Sequence, residues 1–226
     1  MEYTFTEKQR LAAREFAAAS LSDGARSKCY GNRGNDTRSE KLFSDIANGA
    51  LAEIAGKSLV ELVSPKEAKV SEPDFTVHKV NKKSFDADIT LEFVHKDGNK
   101  DQVNVLVKSF FKSRNVDFAP SFCFQKVSGR RHTDKELSHL KQGGDSTDVL
   151  VVALVMDSRF ENGDWANADP EKVGDCCVVY GPFAMQDVED QSLWRDPYIK
   201  KLARYKRVLY LDDLLTLRPV ESITFD

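Results

Sequence analysis

The chain is poor in the residue types from which several kinds of site are built. It has four histidines and four cysteines in 226 residues. His78, His95, His132 and His139 are scattered, and Cys29, Cys123, Cys176 and Cys177 show no CxxC spacing. Neither a zinc site nor a disulfide framework is expected, and reduced cytosolic thiols are the default reading. The longest apolar run, Val149 to Met156, is far too short to cross a bilayer. Met1-Glu2-Tyr3-Thr4-Phe5-Thr6-Glu7 has neither a basic nor an apolar leader region, so no secretory signal is expected and the localisation read from sequence is cytoplasmic. The chain has no G-x-S-x-G elbow, no H-E-x-x-H helix and no Rossmann glycine fingerprint. A Gly-rich basic stretch from Gly24 to Asp36 lacks the residue order of a nucleotide P-loop.

What is present describes a globular chain. Hydrophobic residues make up 41% and charged residues 31%, and the length suits one well-buried α/β domain over residues 1–226 and hardly two. A helix is expected over Glu7–Ser20, and strands over Val77–Val80, Phe85–His95, Gln102–Phe111, Ser121–Lys126, Asp148–Met156 and Cys176–Tyr180. A polar helix is expected over Thr133–Lys141, a basic helix over Pro197–Tyr205, then a strand over Arg207–Leu211 and a short helix over Asp212–Leu217. Interleaved strands and helices imply a sandwich around one central mixed β-sheet, with its core over about residues 36–156. An acidic excursion over about 157–175, around Trp165, is expected to be a surface insertion.

The best helix opens on Thr37-Arg38-Ser39-Glu40, a capping-box sequence, and is expected to run to about Gly56. Leu42, Phe43, Ile46, Ala47, Ala50 and Ile54 share one face at helical spacing. Glu53 falls within about 20° of Ile46, on the border of that stripe. A carboxylate there is costly to bury unless a cation or donor meets it. It either serves a site or pairs at the helix edge with Lys57 at i,i+4.

Two alternating runs carry the chemistry. Ser84-Phe85-Asp86-Ala87-Asp88-Ile89-Thr90-Leu91-Glu92-Phe93 and Val103-Asn104-Val105-Leu106-Val107-Lys108-Ser109 flank a Lys96-Asp97-Gly98-Asn99 turn. Alternation puts Asp86, Asp88 and Glu92 on one side of the first strand and Asn104, Leu106 and Lys108 on one side of the second. Carboxylates beside an ammonium suit a metal-dependent phosphodiesterase: the oxygens hold a hard cation such as magnesium, and the lysine positions or deprotonates water. The same pattern also describes an exposed hairpin face with ordinary charges. Glu92 lies about 13 Å from Asp88 by strand rise, too far to share one ion without a bulge.

Asp-Ile-x-Leu-x-Phe, a Gly-containing turn and Val-x-Val-x-Val-Lys-Ser resemble the core of the PD-(D/E)XK nuclease superfamily, over roughly residues 36–127. In that pattern an aspartate opens one strand and an acidic-x-Lys triplet lies on the next. The resemblance implies a restriction endonuclease-like fold, with Asp88 as first metal ligand and Lys108 as the motif lysine. Asp86 would be a second ligand or a residue leading into the strand. The acidic place of the triplet is Leu106, which cannot bind a cation. Glu53, brought from the helix before the sheet, is the candidate replacement, so the expected catalytic set is Asp88, Lys108 and Glu53 around Mg2+. The implied activity is magnesium-dependent cleavage of duplex DNA. The alternative is a nuclease-fold module that binds DNA or a protein without cleaving. A homodimer is open in either case.

Net charge is −3, but its distribution is uneven. Residues 105–135 carry seven Lys or Arg against Asp117 and Asp134, residues 195–207 carry six against Asp196, and residues 157–190 carry nine acidic side chains against two basic ones. Such segregation either builds a basic groove with an acidic back or lets opposite segments pair. Arg130, Arg131, Lys201 and Arg204 are the expected phosphate contacts, and Gln125 is placed to orient a phosphate or a base, or to be a satisfied structural amide. Replacing those four cations with alanine is expected to weaken binding to all duplexes alike. It should also flatten the log–log salt dependence by about 0.9 for each phosphate no longer neutralised, measured by anisotropy across a salt series.

Overall fold

The computed structural model of the chain describes residues 1–22, 39–76, 88–111, 121–122, 148–156, 174, 176–188, 190–195, 198–199, 204–205 and 208–225. In chain order the elements are β1 (Glu2–Thr4), α1 (Glu7–Ser22), α2 (Ser39–Val63), β2 (Lys69–Val70), β3 (Ile89–Val94), β4 (Lys100–Phe111), β5 (Ser121–Phe122), β6 (Val149–Met156) and β7 (Cys176–Ala184). Then come α3 (Met185–Val188), a 3-10 turn at Gln191–Leu193, β8 (Trp194–Arg195), β9 (Tyr198–Ile199), β10 (Arg204–Tyr205), β11 (Val208–Tyr210) and α4 (Leu211–Leu214).

One six-stranded mixed sheet runs β1-β7-β6-β4-β3-β2. β3 and β4 form the antiparallel hairpin, with Ile89 opposite Val105 and Val94 opposite Lys100. β4 then pairs in parallel with β6, Val105 against Val149 through Phe111 against Val155. The apolar run of β6 is explained by burial on both faces. Val149, Val151, Ala153 and Val155 join a core with Ala13 and Ala17 of α1 and Ala47, Ala50, Leu51, Ala55, Leu59 and Val60 of α2. Leu150 and Val152 join a second core on the opposite face, with Phe183, Met185, Val188, Trp194, Leu209, Leu211 and Leu214. That second core lies under a three-stranded sheet, β5-β11-β8. The Trp194 indole donates to the Val188 carbonyl at 2.9 Å, so its burial leaves no unpaired N–H.

The expected α/β class and the central sheet are present, and several boundaries move for physical reasons. α2 runs to Val63 rather than stopping near Gly56, because Gly56 is a packing residue. A Cβ there would stand 3.1 Å from Val107 Cγ2 and 3.4 Å from Val151 Cγ1. β7 passes through Gly181-Pro182 instead of ending at Tyr180. Gly181 has φ +102°, and the register against β6 shifts between Leu150 and Val152, so the Gly-Pro pair marks a strand irregularity rather than a turn. Within the basic helix expected over Pro197–Tyr205, the described residues Tyr198–Ile199 and Arg204–Tyr205 are strands instead. β9 and β10 pair antiparallel, Arg204 opposite Ile199 and Tyr205 opposite Tyr198. Tyr and Ile at the paired positions favour extended backbone, which outweighs the helical spacing of the apolar residues. The expected strand over Val77–Val80, the helix over Thr133–Lys141 and, Gly174 apart, the excursion over 157–175 lie outside the described residues.

Among the described residues, no helix is long and apolar enough to cross a membrane. Leu51 is fully buried between helix and sheet. Leu51→Ala is expected to lower stability by about 2–5 kcal/mol and Gly56→Leu by about 1–3 kcal/mol through overpacking on Val107, both measured by urea unfolding.

Candidate functional site at the start of strand β3

The site arises from unequal strand lengths. β3 begins at Ile89, opposite Val105, while β4 continues to Phe111. Val107 therefore lies beyond the last β3 residue paired with β4. The carboxylate of Asp88, the residue just before β3, takes the place of that strand, and the Val107 N–H donates to Asp88 Oδ2 at 2.7 Å. A charged acceptor on a backbone N–H makes a stronger bond than a neutral pair.

Lys108 follows immediately. It pairs with Val152, whose side chain belongs to the second core, so Lys108 and Leu106 stand on the face opposite α2. Lys108 is half-buried, and its positive charge acts on Asp88. The Asp88 residue keeps part of its surface in solvent, but its carboxyl group is desolvated. Desolvation raises its pKa above 3.8, while Lys108 and the Val107 N–H oppose the rise without cancelling it. A charge acting on a desolvated carboxyl is felt more strongly there than in bulk water. Perturbed carboxyls with a specific charge partner are a mark of functional sites, though ion-pair networks also produce them.

Two of the expected site residues are thus brought together, Asp88 and Lys108. Leu106 follows the Lys108 side of β4 and packs against the second core. Glu53 is carried by α2, which covers the other face of the sheet through Gly56 against Val107 and Val151. It is half-buried and is not a free carboxylate. Lys57, the alternative partner considered for it, is held by Glu61 at 3.0 Å and Glu72 at 2.9 Å. Arg204 lies on β10. Asp86, Gln125, Arg130, Arg131 and Lys201 lie outside the described residues.

Sequence reading missed a second clamp on the same strand. Asp148, just before β6, accepts the Asn104 N–H through Oδ2 at 2.8 Å, and its own N–H donates to the Asn104 carbonyl at 2.9 Å. Asn104 is 6% exposed, and its Oδ1 accepts Gln102 Nε2 at 2.8 Å. Two aspartates, each preceding a strand, therefore take N–H groups of β4. The signal available in sequence was an asparagine inside Val103-Asn104-Val105 and an aspartate at the head of an apolar run.

Magnesium is commonly held by one or two carboxylates together with water and substrate phosphate. Among the described residues, no group of three His, Cys, Asp or Glu side chains is placed to hold a metal. The groups acting on Asp88 include, among the described residues, no second carboxylate. The described donors do not by themselves make up a magnesium site. Nor is Cys177 a nucleophile, since burial, with Cys176 beside it, pushes its thiol up to about 12. Comparison of the chain with family models, with curated proteins and with solved structures finds no match.

The raised pKa gives a signed expectation. A carboxyl whose folded pKa lies above its unfolded value contributes stability below the unfolded value and loses it as pH rises through the folded one. Asp88→Asn keeps an oxygen for the Val107 N–H and cannot ionise. Its melting temperature relative to the parent should therefore rise progressively from below pH 3.8 to neutrality. A difference that stays flat with pH, or falls, would mean that Asp88 is not held in a desolvated position.

Proposed function

We propose that this chain is a magnesium-dependent endonuclease that hydrolyses phosphodiester bonds of duplex DNA, with Asp88 and Lys108 at its centre. The observation that carries this reading is their juxtaposition: an aspartate opening β3, desolvated and bound to the Val107 N–H, with Lys108 acting on it from the neighbouring strand. It agrees with the sequence resemblance to restriction endonuclease-like nucleases, in which the same two residue types occupy adjacent strands behind a helix. Lys108 carries the positive charge that a phosphate requires and the donors to orient water on it. Asp88 is the oxygen donor for the cation. Magnesium would supply charge neutralisation at the phosphate and an activated water. Asp86 is the proposed further carboxylate. The basic segments bearing Arg130, Arg131, Lys201 and Arg204 are the proposed backbone contacts.

One observation favours a second reading. Leu106 occupies the acidic place of the motif and its side chain, half-buried, packs against the second core. A protein with this architecture and an incomplete donor set would bind DNA or a protein partner without cutting.

Plasmid nicking separates the two. The parent is expected to convert supercoiled plasmid in magnesium and not in chelator, and Lys108→Ala to lower the rate by at least about 100-fold while retaining most of the DNA affinity. A parent that binds plasmid but leaves it intact in every divalent metal would replace the enzyme with the binding module.

A further inference from the structure

The β3–β4 hairpin runs on past its paired neighbours in the sheet. β2 pairs with β3 at Leu91 and Glu92, and pairing of β4 with β6 begins at Val105, while β3 and β4 stay paired out to Val94 opposite Lys100. The far end is a two-stranded ribbon built to be stiff. Gly98 sits in its turn at φ +86°, and the Asp97 carboxylate accepts both the backbone and the side-chain N–H of Asn99. Across the strands His95 Nε2 meets Asp101 Oδ2 at 2.6 Å. Phe93, His95 and Asp101 share the helix-side face, where Phe93 lies edge-on to His95 and stacks on Phe225 at 5.1 Å. The opposite face is open to solvent. Val94 is 56% exposed, and Lys96 in the turn and Lys100 and Gln102 on β4 are exposed as well. By alternation this is the face of β4 that carries Lys108.

Gln102 is oriented by its neighbours. Its Nε2 donates to Asn104 Oδ1 at 2.8 Å, and Asn104 is fixed in turn by the Asp148 clamp. The amide oxygen and a second N–H of Gln102 remain, and an acceptor beside a donor is the pattern that adenine matches in the major groove. Val94, diagonally across from Gln102 on the same face, offers the apolar contact that a thymine methyl takes. Lys96 and Lys100 suit flanking phosphates. The nearby acids are engaged: Asp97 in the turn, Asp101 on the other face, and Glu92 opposite Lys69 of β2. The width of a two-stranded ribbon also fits the major groove. We propose that the open face of this ribbon reads the base sequence of duplex DNA, with Gln102 recognising adenine. Gln102 stands six residues before Lys108 on β4. That is about 20 Å, or roughly six base pairs, so the bases read lie to one side of the bond cut. The inference rests on the endonuclease reading and adds a specificity-determining residue to it.

The test separates binding from cleavage. Sequences bound by the full chain are selected from a randomised duplex pool in chelator, and nicking of the selected duplex is then measured in magnesium. The parent is expected to select a site containing an A·T pair that Gln102→Ala no longer requires, with affinity of the variant for that site lower by about tenfold or more. Gln102→Glu keeps the acceptor and loses the donor, so it should move the preference at that same position to cytosine, a change that a purely structural role would not produce. A parent that binds duplex without base preference would overturn the proposal. So would a Gln102→Ala variant that still selects the parental site, or a Gln102→Glu variant that still selects adenine there. Base preference that depends on Gln102 in a protein that never nicks would leave the inference standing and remove the endonuclease. Failure to bind duplex would sink both, and would turn the open face of the ribbon towards a protein partner.

Discussion

Parallel pairing of β4 with β6 is the constraint on which the rest depends. Both strands are covered on two sides, so their alternation has no slack: a one-residue slip would move Val105, Val107, Val149 and Val151 out of the helix-side core and drive Lys108 into it. A charged lysine in that layer would carry a large desolvation cost. Register is therefore fixed by hydrophobic burial, and the position of Lys108 follows from it. The Asp148–Asn104 clamp holds the same register at the point where parallel pairing begins.

The other edge of β4 sets the position of the acid. Because β3 starts opposite Val105, β4 extends beyond it, and the Val107 N–H is met by the Asp88 carboxylate instead of a strand. That single hydrogen bond ties an acid to the place where the lysine emerges. Desolvation raises the carboxyl pKa, while Lys108 and the Val107 N–H favour its charged form. Such a balance is expensive to maintain in a purely structural role, since neutral, well-packed side chains often do as well or better. Here fold and chemistry meet in one feature, a strand that outlasts its neighbour.

Much of this is legible in the sequence where the periodicity is strong. The β-rich run Val149–Met156, the alternation of Val103–Lys108 and the apolar stripe through Ile46 and Ala50 each report a burial pattern that tertiary structure has to satisfy. Glycine misleads twice, for opposite reasons. Gly56 reads as a helix end when its missing Cβ serves close packing on Val107, and Gly181 reads as a turn when it bends a continuing strand. Tyr198, Ile199 and Tyr205 mislead because apolar spacing in a short segment does not separate helix from paired strands. At the site, Asp88 and Lys108 can be read from residue type and alternation. The Val107 N–H cannot, because strand lengths decide which backbone donors lose a partner. Nor can the layer from which Glu53 comes, which depends on the face that α2 covers.

The central claim is that Asp88 and Lys108 act as one centre, and a double-mutant cycle on magnesium-dependent plasmid nicking tests it most directly. Groups that work as a unit are non-additive. Asp88→Asn combined with Lys108→Met is therefore predicted to be no slower than the slower of the two single variants. Losses that multiply in the double variant, or a single variant that nicks at the parental rate, would contradict it.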